Sequence, residues 1–285
     1  MNIAITGANG QLGQLVIQAL RQQAPEVNVV ALVRDPQKAE HLQDIGVTVR
    51  HFDYDQIESL VPALQGIDKL LLISANEIGR RVPQHRAVIE AAQIAGVPYL
   101  AYTSLYNATH SPLSLAGEHR ETEKLIQNSG LKYSLLRNNW YSENYLANLQ
   151  HVVAQSVLYG AAQDAKISSA SRHDYAEAAA KVLTSAGHEH DIYELAGSEA
   201  FSLSELAGYI GEVAAKQVIY QDLSPNDYHQ ALIGAGLPAG LVDVIVDADV
   251  QATHGAMYSN ATDLAQLLGR ASTPIQSQVH ALFKN

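Results

Sequence analysis

The chain contains no cysteine among its 285 residues. Disulfides, thiol nucleophiles and zinc–thiolate centres are therefore excluded. It also lacks any apolar run near the ~18 residues that a membrane-spanning helix needs. Positive charge is scarce: 18 Lys and Arg stand against 29 Asp and Glu, for a net charge of −11. A surface of that sign repels nucleic-acid phosphates and anionic lipid, so neither nucleic acid nor membrane is expected as a partner. Low-complexity linkers and internal repeats are missing too. The N-terminus has no basic leader, and its apolar start is broken by Gly7, Asn9 and Gly10, so no secretory signal is expected. The expectation is a soluble cytoplasmic protein, monomer or homodimer.

What is present reads as globular. Apolar residues make up 47% of the chain and charged residues 16%, enough to bury a sizeable core. Up to about Trp140, short β-branched runs alternate with longer helical patterns. Strands are predicted over Asn2–Thr6, Asn28–Val33, Val47–His51, Lys69–Ile73, Tyr99–Thr103 and Tyr133–Leu136. Most are continuously apolar, as strands covered on both faces must be. Helices are predicted over Leu12–Arg21, Pro36–Ile45, Gln56–Leu64, Pro83–Ala95 and Gly117–Asn128, with Gly96 and Gly130 as stop signals after the last two. This alternation predicts an α/β fold, a Rossmann-type doubly wound parallel sheet. Beyond Tyr141 the rhythm changes. A helix is predicted over 172–187, a short strand over 191–197, and a helix then a strand over 202–224, with Ser202 and Glu205 as a capping box. The last sixty residues read as mostly helical around the loop 234–240. The division expected is a dinucleotide-binding domain over 1–140 and a smaller mixed α/β substrate lobe over 141–285, packed on it as one compact body.

The stretch "GANGQLG" (7–13) follows the first strand and opens the first helix. In that setting Gly7 permits the tight turn, Gly10 lets the backbone approach a pyrophosphate, and Gly13 lets helix and sheet pack closely. The anion sits at the helix N-terminus, where free N–H groups and the dipole favour negative charge. At the end of the second strand, where an acidic residue usually takes the ribose hydroxyl of NAD, stands Arg34. A guanidinium suits a 2′-phosphate, so NADP(H) is favoured. Asp35 follows it and leaves dual use open. Asp53 and Tyr54 are expected near the adenine, and Ser74, Ala75 and Asn76 near the ribose and pyrophosphate.

One pair of residues is missing where it would be expected. Many short-chain dehydrogenases place a Tyr-x-x-x-Lys pair after a Ser or Thr on the fifth strand, to move the substrate hydroxyl's proton. Here Thr103 and Ser104 occupy the Ser region and Lys124 is present, but Arg120 stands four residues before it. Oxidising an alcohol needs such a base. Reducing an electron-poor acceptor does not, because hydride passes directly and water can protonate the product. No catalytic acid or base is therefore assigned.

The glycine run without Tyr-x-x-x-Lys resembles the NmrA-like atypical short-chain dehydrogenase/reductases. Within them the chain is similar to the bacterial NADPH:quinone oxidoreductases of type 2, with the triphenylmethane-dye reductases as near relatives. The likeness is carried by "ITGANGQLG", "VVALVRDPQKA", "KLLLISANEIGRRVPQHRAVIEAA", "AYTSL", "SPLSLAGEHRETEKLI", "LLRNNWYSENYL", "YELAG" and "GLPAGL". The resemblance implies two-electron reduction of a quinone by NADPH without flavin; the alternatives are an NADP-binding sensor without turnover, or a reductase of another electron-poor aromatic such as a triarylmethane dye. It implies that Gly7, Ala8, Asn9, Gly10, Gln11 and Leu12 hold the pyrophosphate, Arg34 the adenosine end, and Ser74, Ala75 and Asn76 the cofactor path. Arg137, Asn138, Asn139, Trp140 and Tyr141 lie beside the nicotinamide, with Asn138 as an amide partner and Asn138 and Tyr141 positioning hydride transfer. Trp140, Tyr141 and Tyr145 could wall a flat quinone; the competing reading of the sole Trp is a core position. Lys124 reads equally as a ribose contact or a surface residue.

Twelve histidines invite a metal reading, but "HEH" (188–190) has the wrong spacing and is expected to be a solvated loop. "DYDQIES" (53–59) puts Ile57 where a calcium loop needs oxygen. No metal is expected. His85 and His119 flank cleft loops. His119 could protonate a quinone oxygen, but its Glu/Arg-rich helix favours an exposed position.

Overall fold

The structure is a computed structural model and describes residues 1–283. The strands, in chain order, are β1 (Asn2–Ile5), β2 (Asn28–Val33), β3 (Thr48–His51), β4 (Lys69–Leu72), β5 (Tyr99–Leu105), β6 (Lys132–Asn138), β7 (Val157–Gly160), β8 (Asp191–Leu195) and β9 (Ile219–Asp222). The helices are α1 (Gln11–Gln23), α2 (Glu40–Gln43), α3 (Leu60–Ala63), α4 (Arg81–Ala95), α5 (Ala116–Gln127), α6 (Glu143–Leu146), α7 (Leu149–Gln155), α8 (Arg172–Thr184), α9 (Leu203–Ala214), α10 (Pro225–Gly234), α11 (Ala239–Ala252), α12 (Asp263–Leu268) and α13 (Ile275–Phe283). None of these is long and apolar enough to cross a membrane.

Seven strands form one sheet in the order β3-β2-β1-β4-β5-β6-β8. The pairs from β3 through to β6 are parallel, with Ile3 opposite both Val29 and Lys69. The chain winds outward from β1 to β3, then restarts on the other side of β1 with β4. That reversal opens a crevice at the C-terminal ends of β1 and β4, where doubly wound sheets take their ligands. Leu70, Leu71 and Leu72 are fully buried and every residue of β5 is buried, because helices cover both faces. Each such leucine contributes about 1.5–3 kcal/mol relative to exposure. On one face Leu60, Leu64, Val88, Ile89 and Ala92 close a cluster against Ala4, Val30, Leu72 and Leu100. α1 buries Leu12, Val16, Ile17 and Leu20, spaced along one side, and packs against α8. Small residues on α8, Ala176, Ala178, Ala179 and Ala180, are buried.

The division of the chain differs from a cut at residue 140. One unit comprises 1–109, 117–138 and 172–194; the other comprises 110–116, 139–171 and 195–285. The strand read as part of the C-terminal lobe is β8, the last strand of the large sheet beyond β6. A five-residue strand with Asp191 and Glu194 among its residues carries no sign of which sheet it joins. The second unit holds the parallel pair β7–β9, with Val157 opposite Ile219, and most of the later helices. α9 starts with the predicted capping box: the Ser202 Oγ accepts from the Glu205 N–H at 3.2 Å, and Glu205 accepts from the Ser202 N–H at 2.7 Å.

Two predicted helices are shorter than their patterns. Over 36–45 the chain makes a 3₁₀ turn, Gln37–Ala39, and only four α-helical residues. Ala39 and Leu42 are its only buried residues in these two elements, too few to anchor longer regular structure. Over 56–64 Pro62 removes a donor, and the Ser59 hydroxyl donates back to the Gln56 carbonyl at 2.7 Å. Gly96 and Gly130 do stop their segments, at φ of 72° and 77°.

Candidate nucleotide and hydride-transfer site

The glycine turn is built as its spacing requires. Gly7 adopts φ +56°, and its carbonyl accepts from the Gly10 N–H at 2.9 Å. The Gly10 carbonyl takes the Gln14 N–H at 3.0 Å and so starts α1. A Cβ on Gly13 would lie 2.4 Å from the Gly7 oxygen and 2.8 Å from the Ala8 Cα, so only glycine fits there. Ala8 and Leu12 are buried as anchors, while Gly7, Asn9, Gly10 and Gln11 are exposed. α1 has no side-chain N-cap and no acidic residue in its first turn. Its positive end is thus left for an anion. These residues fit a dinucleotide pyrophosphate.

The loops after β2, β3 and β4 carry the charges at this edge. Arg34 is 73% exposed, with Nη1 3.9 Å from the Glu77 Oε1. Asp35 turns to its own loop, accepting from the Gln37 N–H at 3.2 Å and lying 3.4 Å from the Lys38 ammonium. Asp53 likewise accepts from the Asp55 N–H at 3.1 Å and from Gln56. Tyr54 packs edge-on against Phe52, and its phenol is pushed up to about 12 by burial, against a bond with Thr6.

The loop after β4 is fixed from beneath. The Ser74 N–H donates to the Thr103 Oγ1 at 2.9 Å, and the Ala75 N–H to the His85 Nε2 at 3.0 Å. The Thr122 hydroxyl donates to the Glu118 carbonyl at 2.9 Å, so it accepts from His85 Nδ1, 3.0 Å away. This pattern assigns His85 as neutral, with its proton on Nδ1. Burial first, and then the Arg81 charge, push its pKa down to about 3. Arg81 donates to the Ala75 carbonyl at 2.7 Å and lies 3.3 Å from Glu118. Asn76, at the tip, is exposed.

Below the C-terminal ends of β5 and β6 lies a buried polar network. The Ser104 Oγ donates to the Glu123 Oε1 at 2.5 Å. Arg137 donates to Glu123 from Nε at 2.9 Å and Nη2 at 2.7 Å, to Glu194 from Nη1 at 2.7 Å, and to Thr109 at 3.0 Å. Burial opposes the Arg137 charge, but the two carboxylates outweigh it and raise the pKa further. The Tyr102 hydroxyl lies 2.8 Å from the His119 Nδ1. Lys124 is 63% exposed and pairs with Glu121 at 2.8 Å. The structure therefore assembles no proton-transfer pair from Ser104 and Lys124.

A family described as NAD(P)H-binding matches residues 7–186. Quinone oxidoreductase 2 of Escherichia coli (strain K12) is 51% identical over 281 residues, covering 99% of this chain and 98% of that one. The crystal structure of the Escherichia coli NADPH-dependent quinone oxidoreductase complexed with NADPH superposes with a TM-score of 0.95 at 51% identity, over 99% of both chains. Triphenylmethane reductase of Citrobacter sp. superposes at 0.96 with 35% identity over 100% of both chains. The chain belongs to the NAD(P)H-binding family.

Within this NAD(P)H-binding chain, the residues expected beside the nicotinamide and the acceptor have the following surroundings. The Arg137 guanidinium is engaged by Glu123, Glu194 and Thr109. Asn139 is structural: its amide donates to the Ser168 and Met257 carbonyls at 3.1 and 3.0 Å and accepts from the Trp140 N–H at 2.9 Å. His119 is buried, not exposed, with its pKa well below the usual value through burial, then Arg81 and His85. The Tyr145 ring meets Phe201 edge-on at 6.0 Å, and its hydroxyl is enclosed with no hydrogen-bond partner among the described residues. Asn138 is buried at the end of β6, its carbonyl accepting from the Tyr106 N–H at 2.9 Å. Trp140 and Tyr141 are partly exposed, and Tyr141 bridges to Ala170.

The "HEH" loop is pinned rather than freely solvated. The His188 ring bonds to Ser185 at 2.9 Å and Tyr193 at 2.6 Å, and the His190 N–H donates to the Tyr133 carbonyl at 2.6 Å. Elsewhere, His173, Asp174 and Glu177 on α8 bring three ligand-type atoms within 4.8 Å of one another, His173 and Glu177 as an i,i+4 pair at 3.7 Å. Sequence reasoning passed over Glu77, Arg80, Glu123 and Glu194. For the first two the signal was there: the charged stretch "NEIGRR" falls in the loop that follows β4.

Proposed function

We propose that this protein transfers hydride from NADPH directly to a quinone, reducing it by two electrons to the hydroquinone without flavin. The observation that carries the reading is the uncapped start of α1 behind the Gly7–Gly13 turn, with the exposed Arg34 guanidinium at the end of the neighbouring β2. Likeness to the NADPH-complexed Escherichia coli enzyme supports it. NADPH bound there supplies the hydride; the protein binds and orients it. The backbone from Gly7 to Leu12 holds the pyrophosphate, Arg34 takes the 2′-phosphate, and Ser74 to Asn76 line the path toward Asn138. No side chain need move a proton during hydride transfer, because the hydroquinone oxygens take protons from water. Trp140 and Tyr141 offer aromatic faces to a flat acceptor, and Tyr141 with Asn138 sets its approach. We assign the reaction to the cytoplasm, by a monomer or homodimer that needs neither nucleic acid nor metal.

The test is NADPH and NADH oxidation by the purified protein, with benzoquinones, a naphthoquinone and a triarylmethane dye as acceptors. Quinone-dependent NADPH loss is expected, and Arg34→Ala raises the KM for NADPH by about tenfold or more with kcat little changed. NADPH binding without acceleration by any quinone overturns the reductase reading. Faster turnover of the dye than of every quinone shifts the substrate class.

A further inference from the structure

The two arginines of "GRR" part company. Arg81 turns inward to the Ala75 carbonyl and Glu118, and its side chain is 6% exposed. Arg80 turns outward and is 57% exposed. Its Nη2 lies 2.6 Å from the Asp55 Oδ1 and its Nη1 2.9 Å from the Glu77 Oε2. The other Glu77 oxygen, Oε1, faces the Arg34 Nη1 at 3.9 Å. One carboxylate thus has a guanidinium on each oxygen. Asp55 follows β3, Arg34 follows β2 and Glu77 follows β4, so this chain of charges crosses the C-terminal edge of the sheet above β2 and β1. That is the edge where the adenosine half of a dinucleotide lies.

We propose that Arg80 is the second guanidinium of the 2′-phosphate site and that Glu77 is an internal anion holding Arg34 and Arg80 until the phosphate displaces it. The inference rests on the NADPH reading given above. The charges make the exchange physically easy. All four side chains are more than a third exposed, and ion pairs so exposed are weakly held and quickly remade. A phosphate carries more negative charge than a carboxylate and has three acceptor oxygens, enough for two guanidinium groups at once. Two cations already drawn to one small anion are arranged for another of similar size. NADH brings no such anion. With it Glu77 keeps both arginines, and they gain nothing from the cofactor. The discrimination between the two dinucleotides therefore includes the competition from Glu77, not only the attraction of Arg34. The Arg80–Asp55 pair keeps Arg80 over the adenosine edge while the site waits.

The test is calorimetric binding of NADPH, NADH, 2′,5′-ADP and 5′-AMP to the full-length protein and to Arg80→Gln, Glu77→Gln, Asp55→Asn and Arg34→Ala. Arg80→Gln is expected to weaken NADPH and 2′,5′-ADP about tenfold while NADH and 5′-AMP stay within twofold. Glu77→Gln is expected to tighten NADPH and 2′,5′-ADP by about threefold to fivefold, the range an exposed pair commands, with NADH unchanged. Asp55→Asn keeps the Arg80 charge and retains the preference for the 2′-phosphate. If Arg80→Gln weakens NADPH and NADH equally, Arg80 only shapes the loop and the proposal is overturned. If Arg34→Ala removes the preference while Arg80→Gln and Glu77→Gln leave it intact, the proposal fails and the NADPH reading stands. A wild-type protein that binds 2′,5′-ADP no better than 5′-AMP removes both.

Discussion

Arg137 grips Glu123 at two points, with Nε 2.9 Å from Oε1 and Nη2 2.7 Å from Oε2, and their side chains are only 9% and 6% exposed. The pair ties the end of β6 to α5 directly below the cofactor edge. Removing one partner leaves a buried charge unmatched, at a cost of about 3–5 kcal/mol. Arg137→Met is therefore expected to lower unfolding free energy by that amount in urea titrations. Loss below 1 kcal/mol would show that the charge is already solvated.

Gly13 gives a sharper geometric test. The Cβ of Gly13→Ala would sit 2.4 Å from the Gly7 oxygen, so turn and helix must separate. Loss of dinucleotide binding with a lower Tm is expected. Gly208→Ala on α9 is the control, since a Cβ there meets nothing within 4 Å. That control should gain about 0.5–1 kcal/mol from the better helix former.

Two buried groups set opposing pH dependences. His85 titrates near 3 in the folded protein and near 6.5 when unfolded. Its lowered value means that the unfolded chain takes the proton first, so stability is lost as pH falls below 6.5. The slope is about 1.4 kcal/mol per pH unit until the folded ring titrates. In urea melts from pH 7 to pH 4, His85→Gln should show a shallower loss than wild type; an equal slope would contradict the assignment.

Asp249 works the other way. It is 2% exposed, accepts from the Ala161 N–H at 2.9 Å, and burial pushes its pKa up to about 6 from 3.8. The folded state binds its proton more tightly, so the stability it contributes is present at low pH and is lost as pH rises through 6. Asp249→Asn, which keeps an acceptor for Ala161, is expected to be more stable than wild type at pH 8 by up to about 3 kcal/mol. The gain should vanish near pH 4.

Lys124 tests the missing proton relay. It is exposed and paired with Glu121. Lys124→Ala should leave quinone-dependent NADPH oxidation within twofold of wild type; a loss of a hundredfold would restore a lysine to the chemistry.

The glycine turn and the parallel strands were legible because each obeys a local rule: positive φ at Gly7, no room for a Cβ at Gly13, continuous apolar runs in β2, β4 and β5. The position of Arg34, exposed just after β2, was legible as well. The fates of Arg137, Asn139 and His119 were not, because each depends on partners far along the chain: Glu194, Met257 and Tyr102. A polar residue beside a motif reads the same whether it faces a ligand or a buried carboxylate. The surroundings of Tyr145 were not legible for the same reason, since its neighbour Phe201 lies on another segment.

The return of the chain at 172–194 bears on synthesis. The glycine turn is made well before α8, which packs on α1, and β8, which completes the sheet, both of which emerge only after residue 171. Until Glu194 has cleared the exit tunnel, a nascent chain carries the phosphate loop on a helix with one flank bare and a sheet one strand short. A chain ended near residue 140 would lack both α8 and β8, and with them the cover of α1 and the last strand of the sheet.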